Sequence, residues 1–250
     1  MANSPSGESV IERFLRILEA FDAHHRVLSL TEIADRARLP VSTAHRLTAE
    51  MVRVGSLRRS DVGGFEIGIR IWELSNRSSE TQRLREAALP AMLNVQKVVG
   101  QHTNLAVRDG DHVVYLERLS APTATRSIAL TASRLPLNLT SSGLVLIAFS
   151  PPRDLEVFLS TAHPKATADS PAATNELVRR IRQVRADGYC IADGYSLPDS
   201  TGIAVPVFHP RERVVAALNV IVPRGDDRSP SLVPLLRGAA RGIARALAAA

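Results

Sequence analysis

Four hydrogen-bonding side chains crowd one short stretch, Ser42, Thr43, His45 and Arg46, inside LPVSTAHRLTAEM at positions 39–51. Val41, Ala44, Leu47 and Met51 recur there at steps of three and four, which predicts an amphipathic helix packed on its neighbours. Pro40 suits the start of that helix, because first-turn N–H groups have no internal partner. A helix N-terminus carries partial positive charge and free donors, and both attract phosphate. Hydroxyls at 42 and 43 are small enough for the backbone to approach a polyanion closely, and Arg46, one turn after Ser42, reaches a guanine edge or a phosphate. The chemistry on offer is recognition, with no bond made or broken. A solvated surface helix would present the same polar face, so two readings stand at this point.

The elements around that helix favour the first. Val10, Phe14, Ile17, Leu18 and Phe21 have helical spacing, and Ser29 with Glu32 forms a capping box that opens a second helix. The helix after Pro40 is expected to stop at Gly55, and SLRRSDVGGFEIG then reads as two short strands around a turn at Asp61–Gly64. Helix, helix, turn, helix and hairpin make a winged helix-turn-helix, with Arg58 and Arg59 on the wing. Between Arg36 and Ser60 there are six arginines (36, 38, 46, 53, 58, 59) against the single acid Glu50, a local charge of +5 that the flanking residues 1–35 and 61–70 largely cancel. DNA-binding candidates are therefore Ser42, Thr43, His45, Arg46, Arg58 and Arg59. Three-helix units with a hairpin also serve as protein–protein modules, so an adaptor stays open.

The chain as a whole sets the limits. Its 250 residues suffice for two domains, and 45% hydrophobic content supports ordinary cores although aromatics are only 4%. The net charge of +6 says less than the local cluster, since all but two of the 31 basic residues (Lys97 and Lys165) are arginine. One cysteine, Cys190, excludes an intramolecular disulfide and a cysteine-built metal site. No leader pattern and no apolar run near the roughly 18 residues of a membrane span is seen, so the expectation is a cytoplasmic protein with no membrane partner. Domain bounds are read as a disordered 1–7, a DNA-binding domain 8–70, a linker helix 71–88 and a second domain 89–250. Pro90 is expected to divide the linker helix from a more apolar one.

From 89 on, strands alternate with helices: HTNLAVRDGDHVVYLERL is a pair of strands around a DGD turn, SSGLVLIAF a buried helix, NELVRRIRQVRADG an amphipathic helix. YCIADGY, TGIAVPVF and VVAALNVIV are strands, the last two joined by HPRER, and a helix closes the chain. The fold class is α+β in two domains, the second an α/β domain on a mostly antiparallel sheet. No nucleophile elbow, P-loop, dinucleotide fingerprint or zinc-helix motif occurs, and the seven histidines are scattered. Neither a catalytic residue, a metal nor a cofactor is expected. Cys190 reads as a buried strand residue, and Asp109 and Asp111 as a hairpin turn.

The stretch LTEIADRARLPVSTAHRLTAEMVRVGSLRR resembles the N-terminal domain of the isocitrate lyase regulator (IclR) family of bacterial transcription factors, and FEIGIRIWELS is similar to that family's lead into its linker helix. DHVVYLERL, SRLPLNLTSSG, VRADGY and TGIAVPVFHPRERVVAALNVIVP follow in family order, so the resemblance spans nearly the whole chain. It implies a GAF-like effector-binding domain that takes a small organic acid, its pocket edged by LPLNLTSSG, the Asp193 strand and the last two strands. Ser141 and Ser142 would offer hydroxyls and free N–H groups to a carboxylate, Leu135 and Leu137 would pack its apolar body, and Asn219 would orient a polar group. Where the family has GKA this chain reads Gly143-Leu144-Val145; Gly202 replaces a common cysteine, and Asn219 and Ile221 replace serines. Those changes widen the pocket and favour a bulkier or aromatic ligand.

The resemblance also implies a homodimer, with tetramers of two dimers, reading double-stranded operator DNA as an approximate palindrome. Trp72 and Leu74 are candidate dimer contacts or, alternatively, residues buried on their own domain. Repression is the commoner family outcome. An enzyme acting on a small acid in the second domain is the remaining rival.

Overall fold

The computed structural model describes residues 8–22, 24–77, 80–209, 213–226 and 228–249. The stretch 1–7 expected to be disordered lies outside them, as does the middle of HPRER. The chain forms two compact units, residues 1–79 and 80–250.

The first unit runs α1 (Val10–Glu19), α2 (Leu30–Arg36), α3 (Val41–Arg53), β1 (Leu57–Arg59), β2 (Phe65–Ile67) and α4 (Ile69–Asn76). Ser9 with Glu12 and Ser29 with Glu32 form complete capping boxes, which satisfy first-turn donors of α1 and α2. Ile17, Leu28, Ile33, Ala44, Leu47, Met51, Leu57 and Phe65 close one core. Leu28 exchanges two backbone hydrogen bonds with Phe65, so the hairpin is stitched to the segment before α2.

One expectation about α3 is corrected. Val41 does not join the buried stripe and is 51% exposed. Pro40 is the N-cap, so Val41 is the first helical residue and overhangs the core; the stripe is Ala44, Leu47, Thr48 and Met51. Thr48 is tolerated there because its hydroxyl donates to the His45 carbonyl at 3.1 Å.

The second unit is a six-stranded antiparallel sheet of β3 (His102–Asp109), β4 (His112–Ser120), β5 (Arg134–Pro136), β6 (Cys190–Asp193), β7 (Ser200–Phe208) and β8 (Val214–Pro223), in the order β5-β4-β3-β8-β7-β6. Helices α5 (Glu80–Val99) and α9 (Ser229–Ala249) cover one face, where Leu218, Val220 and Val222 of β8 meet Met92, Val95 and Leu236. The other face carries Ala217, Asn219 and Ile221 of β8 toward α6 (Ser141–Ala148), with α7 (Pro152–Ser160) and α8 (Thr174–Asp187) outside it. The period of two along β8 thus sends only apolar side chains to one layer and the polar Asn219 to the other.

Pro90 does not divide two helices: it lies inside α5. An interior proline costs about 3 kcal/mol, and the buried ridge of Leu84, Ala88, Met92, Val95 and Val99 holds the helix on the sheet across it. Strand β5, the 3-10 turn Leu137–Leu139 and α7 were not foreseen from the sequence.

Candidate functional site

On α3 the structure keeps the polar face free. Ser42, His45 and Arg46 are exposed and Thr43 half-buried, all within the first two turns. Helix α3 has no side-chain cap, so its leading N–H groups face outward with those hydroxyls. The charge cluster is thinner than the sequence count suggests. Arg36 pairs with Asp22 at 2.6 Å, Arg53 with Glu50 at 2.7 Å and Arg58 with Glu66 at 2.5 Å, the last pair directly opposed across the hairpin. Arg59 lies over the Phe65 ring, 5.2 Å from its centroid. Arg46 alone of the candidates on the helix carries a formal charge, and among the described residues it has no carboxylate partner. The wing arginines are therefore held by the hairpin itself, while Arg46 is free to reach outward.

The second candidate site is a narrow cavity between α6 and the sheet, with a volume of ≈ 30 Å³. Two glycines make it possible. A Cβ on Gly143 would fall 2.1 Å from the Leu137 carbonyl oxygen, so only glycine lets α6 seat on the 3-10 turn. A Cβ on Gly202 would fall 2.8 Å from Ser141 Oγ, so only glycine leaves that hydroxyl its place. Thr140 caps α6 by accepting from the Gly143 N–H at 2.9 Å, which leaves the Ser141 and Ser142 N–H groups ahead of the helical ladder.

Of the residues expected there, Leu135, Ser141, Gly202 and Asn219 line the cavity. Leu137, Ser142 and Asp193 do not. Leu137 is buried in the core under α6, because the 3-10 turn rotates it inward. Ser142 sits one step round the helix, where its hydroxyl is buried without a hydrogen-bond partner. Asp193 follows Ala192, which takes the cavity face of β6, so it points the other way and accepts a hydrogen bond from Thr201 Oγ1.

Sequence reading missed Tyr115, Ser127, Ile128, Tyr195 and Ser196 in the wall, whereas Leu139 lies within the LPLNLTSSG edge. Alternation along β4 was a usable signal for Tyr115, which shares its face with Val113. Nothing in the aperiodic stretch 121–130 signalled Ser127 or Ile128. Burial pushes the Tyr115 phenol up to about 12 and that of Tyr195 likewise, so both stay protonated and able to donate. Among the described residues no charged side chain lines the cavity. Ser141 Oγ and Asn219 Oδ1 are buried in its wall without a hydrogen-bond partner, and Asn104, opposite Asn219 in the β3–β8 register, has both amide atoms unpaired as well. A buried polar group without a partner costs about 1–3 kcal/mol, so a polar partner at this wall would be stabilising.

Chemistry of other kinds has no constellation here. Among the described residues no group of three His, Cys, Asp or Glu could hold a metal, and no helix is long and apolar enough to cross a membrane. Burial pushes the Cys190 thiol up to about 12, which leaves it an inert strand residue.

The sequence profile of the IclR helix-turn-helix domain matches residues 10–61, and that of "Bacterial transcriptional regulator IclR C-terminal" matches residues 77–245. The chain belongs to the IclR family. A crystal structure of an IclR homolog from Microbacterium hydrocarbonoxydans complexed with 4-hydroxybenzoate is 40% identical, covers 97% of this chain and 100% of that one, and superposes with a TM-score of 0.91. The probable transcriptional regulator SauR of Cupriavidus necator is 31% identical over 96% of each chain. The HTH-type transcriptional repressor AllR of Klebsiella pneumoniae is 26% identical, over 98% of this chain and 92% of its own. IclR-family proteins are transcriptional regulators rather than enzymes, and this chain has their two-domain α+β fold with a helix-turn-helix module and an IclR effector domain.

Proposed function

We propose that this IclR-family regulator is a repressor whose hold on operator DNA is set by a small aromatic carboxylate bound in the α6 cavity. The observation that carries the reading is the cavity wall: unpaired Ser141 Oγ and Asn219 Oδ1 beside the α6 N-terminus, among apolar side chains and with no charged group. Leading N–H groups of α6 and Ser141 Oγ take the carboxylate, Asn219 meets a polar group on the ligand, and Leu135, Leu139 and Ile221 pack its ring. The homolog complexed with 4-hydroxybenzoate supports an acid of that size.

At the DNA end, Ser42 and Thr43 approach phosphates, His45 and Arg46 reach base edges in a major groove, and Arg58 and Arg59 lie along the backbone from the hairpin. Ile69 and Trp72 of α4 are 66% and 62% exposed, and Leu74 is exposed too, so burial on their own domain does not explain them. Contact with a second copy does, giving a homodimer whose two α3 helices read paired half-sites, and pairs of dimers a tetramer. The protein then works in the cytoplasm, where its DNA lies.

Fluorescence anisotropy tests the reading directly. Wild type and Arg46→Ala are titrated onto the intergenic DNA upstream of the protein's own gene and onto a scrambled duplex, at two salt concentrations, with and without 4-hydroxybenzoate. Sequence-selective binding that Arg46→Ala weakens and the acid loosens is expected; allosteric coupling of about 1–3 kcal/mol makes the loosening roughly 5- to 150-fold. Binding indifferent to every aromatic acid in a panel would remove the effector assignment, and binding tightened by one would remove the repressor. No binding to any duplex at low salt would leave the adaptor reading in front.

A further inference from the structure

A second hollow adjoins the cavity. It has a volume of ≈ 340 Å³ and is lined by His102, Arg118, Ser120, Arg126, Ser127 and Leu197 among others. Ser127, Ile128 and Leu197 line both hollows, so one layer of side chains divides them. The divide belongs to the strap 121–130, which has no regular secondary structure and is tied to β3. His102 Nε2 lies 2.6 Å from the Thr125 carbonyl oxygen, which can only accept, so Nε2 carries the proton. Nδ1 is then an acceptor, and it faces Ser120 Oγ at 2.9 Å and Arg118 Nη2 at 3.2 Å. The Thr125 N–H donates to Gln101 Oε1 at 2.7 Å as a second tie.

The charges of this hollow are one-sided. Among the described residues no aspartate or glutamate lines it, and neither Arg118 nor Arg126 has a carboxylate partner. Arg118 uses Nε on Ser120 Oγ at 2.9 Å and Nη2 on His102, which leaves Nη1 to donate. Arg126 is exposed on the strap. Across the wall, no cationic side chain lines the cavity among the described residues. An anion bound for that cavity therefore meets fixed positive charge in the lining of the neighbouring hollow.

We propose that this hollow is a carboxylate-binding antechamber, where Arg118 and Arg126 take the acid group of a small organic acid before it passes the Ser127–Ile128 wall. Passage into the cavity rests on the cavity being the effector site; the anion site itself does not. Two uncompensated guanidinium groups in a concave wall raise local anion concentration and speed association, by roughly 10- to 1,000-fold in steered systems. The effect falls as salt rises.

The test follows arginine Nε–H signals of the full chain, nitrogen-labelled, during titration with benzoate, with benzamide as its neutral isostere and inorganic phosphate as a competing anion. Arg118→Gln identifies the Arg118 signal and retains a donor for Ser120 or His102; Arg126→Ala removes a side chain the fold does not use. Gly202→Val fills the cavity and leaves the hollow intact. Benzoate is expected to shift the Arg118 signal saturably in wild type and in Gly202→Val, and benzamide to leave it unmoved. In stopped-flow tyrosine fluorescence, Arg118→Gln with Arg126→Ala slows benzoate association on the order of tenfold at low salt, with benzamide association unchanged. An unmoved Arg118 signal, or one lost in Gly202→Val, overturns the proposal, as does tighter competition by phosphate than by benzoate itself. If benzoate moves Arg118 but never enters the cavity, the anion site stands and the effector reading fails, so the two failures are told apart.

Discussion

Gly202→Ala separates binding from folding. The new methyl carbon would sit 2.8 Å from Ser141 Oγ and 3.5 Å from Ser141 Cβ, with no backbone atom within 4 Å other than its chain neighbours. The near contact is the tip of a rotatable side chain, so the hydroxyl swings away and the strand stays. Gly202 pairs with Ile221 and Ala192 in regular strand geometry with no positive φ, so alanine fits the backbone. Removing a glycine's freedom from the unfolded chain stabilises by about 0.4–1 kcal/mol, which offsets the rotation of Ser141. Binding moves the other way. A hydrogen bond to a charged group contributes about 1.5–3 kcal/mol, and 1.4 kcal/mol is tenfold. Affinity for 4-hydroxybenzoate should therefore fall roughly 10- to 150-fold while the melting temperature stays or rises. Isothermal titration calorimetry beside thermal unfolding checks both. Unchanged affinity would show that Ser141 Oγ does not touch the ligand, and a collapse in stability would show that the 2.8 Å contact is not relieved by a rotamer change.

Gly143→Ala should do the opposite: its Cβ meets the Leu137 backbone at 2.1 Å from oxygen, so thermal unfolding should show a loss of several kcal/mol in stability, of the kind that overpacking and backbone shifts produce. Arg46→Ala should lower the salt slope of operator binding by about one, the signature of one lost phosphate contact, or else relax selectivity at one base pair if it reads an edge; anisotropy across a salt series distinguishes these. Trp72→Asp should drive the proposed dimer to monomer in sedimentation without lowering the melting temperature of the monomeric unit, since the ring is not part of its core. Acid should loosen the strap. Burial holds the His102 imidazole below its ordinary value of 6.5, opposed by its bond to Thr125 and aided by the Arg118 charge. The neutral form is favoured in the fold, so its stabilisation is complete above about pH 6.5 and is lost as pH falls through the lowered folded value. Hydrogen exchange at the Thr125 amide should quicken over that interval, and His102→Gln should flatten the dependence.

The recognition helix was legible because its information is local. Capping boxes, a proline start, a glycine stop and a three-four stripe are written in adjacent residues, and the structure puts them where the spacing says. Val41 is the exception, and it fails at the helix end, where periodicity no longer says whether a neighbour is present. Charge counting misled for a related reason: Arg58 and Glu66 are eight residues apart, yet the hairpin register sets them face to face. The cavity was only half legible. Ser141, Gly202 and Asn219 come from three elements that sheet order brings together, and family likeness supplied what periodicity could not. Asp193 was lost to a one-residue parity, since its neighbour Ala192 takes the inner face. The strap carries neither period nor cap, and its place over the cavity depends on long-range ties to Gln101 and His102.

Trp72 is the chain's single tryptophan, it stands outward on α4 in the first unit, and the rings around the α6 cavity are tyrosines. The molecule thus carries two spectrally separable reporters without any label. Tyrosine emission senses occupancy of the cavity, whereas light absorbed by indole alone is re-emitted from the surface assigned to pairing. A ligand that changes indole emission without touching it would make communication between the units visible as a colour shift, and the delay between the two signals would time it.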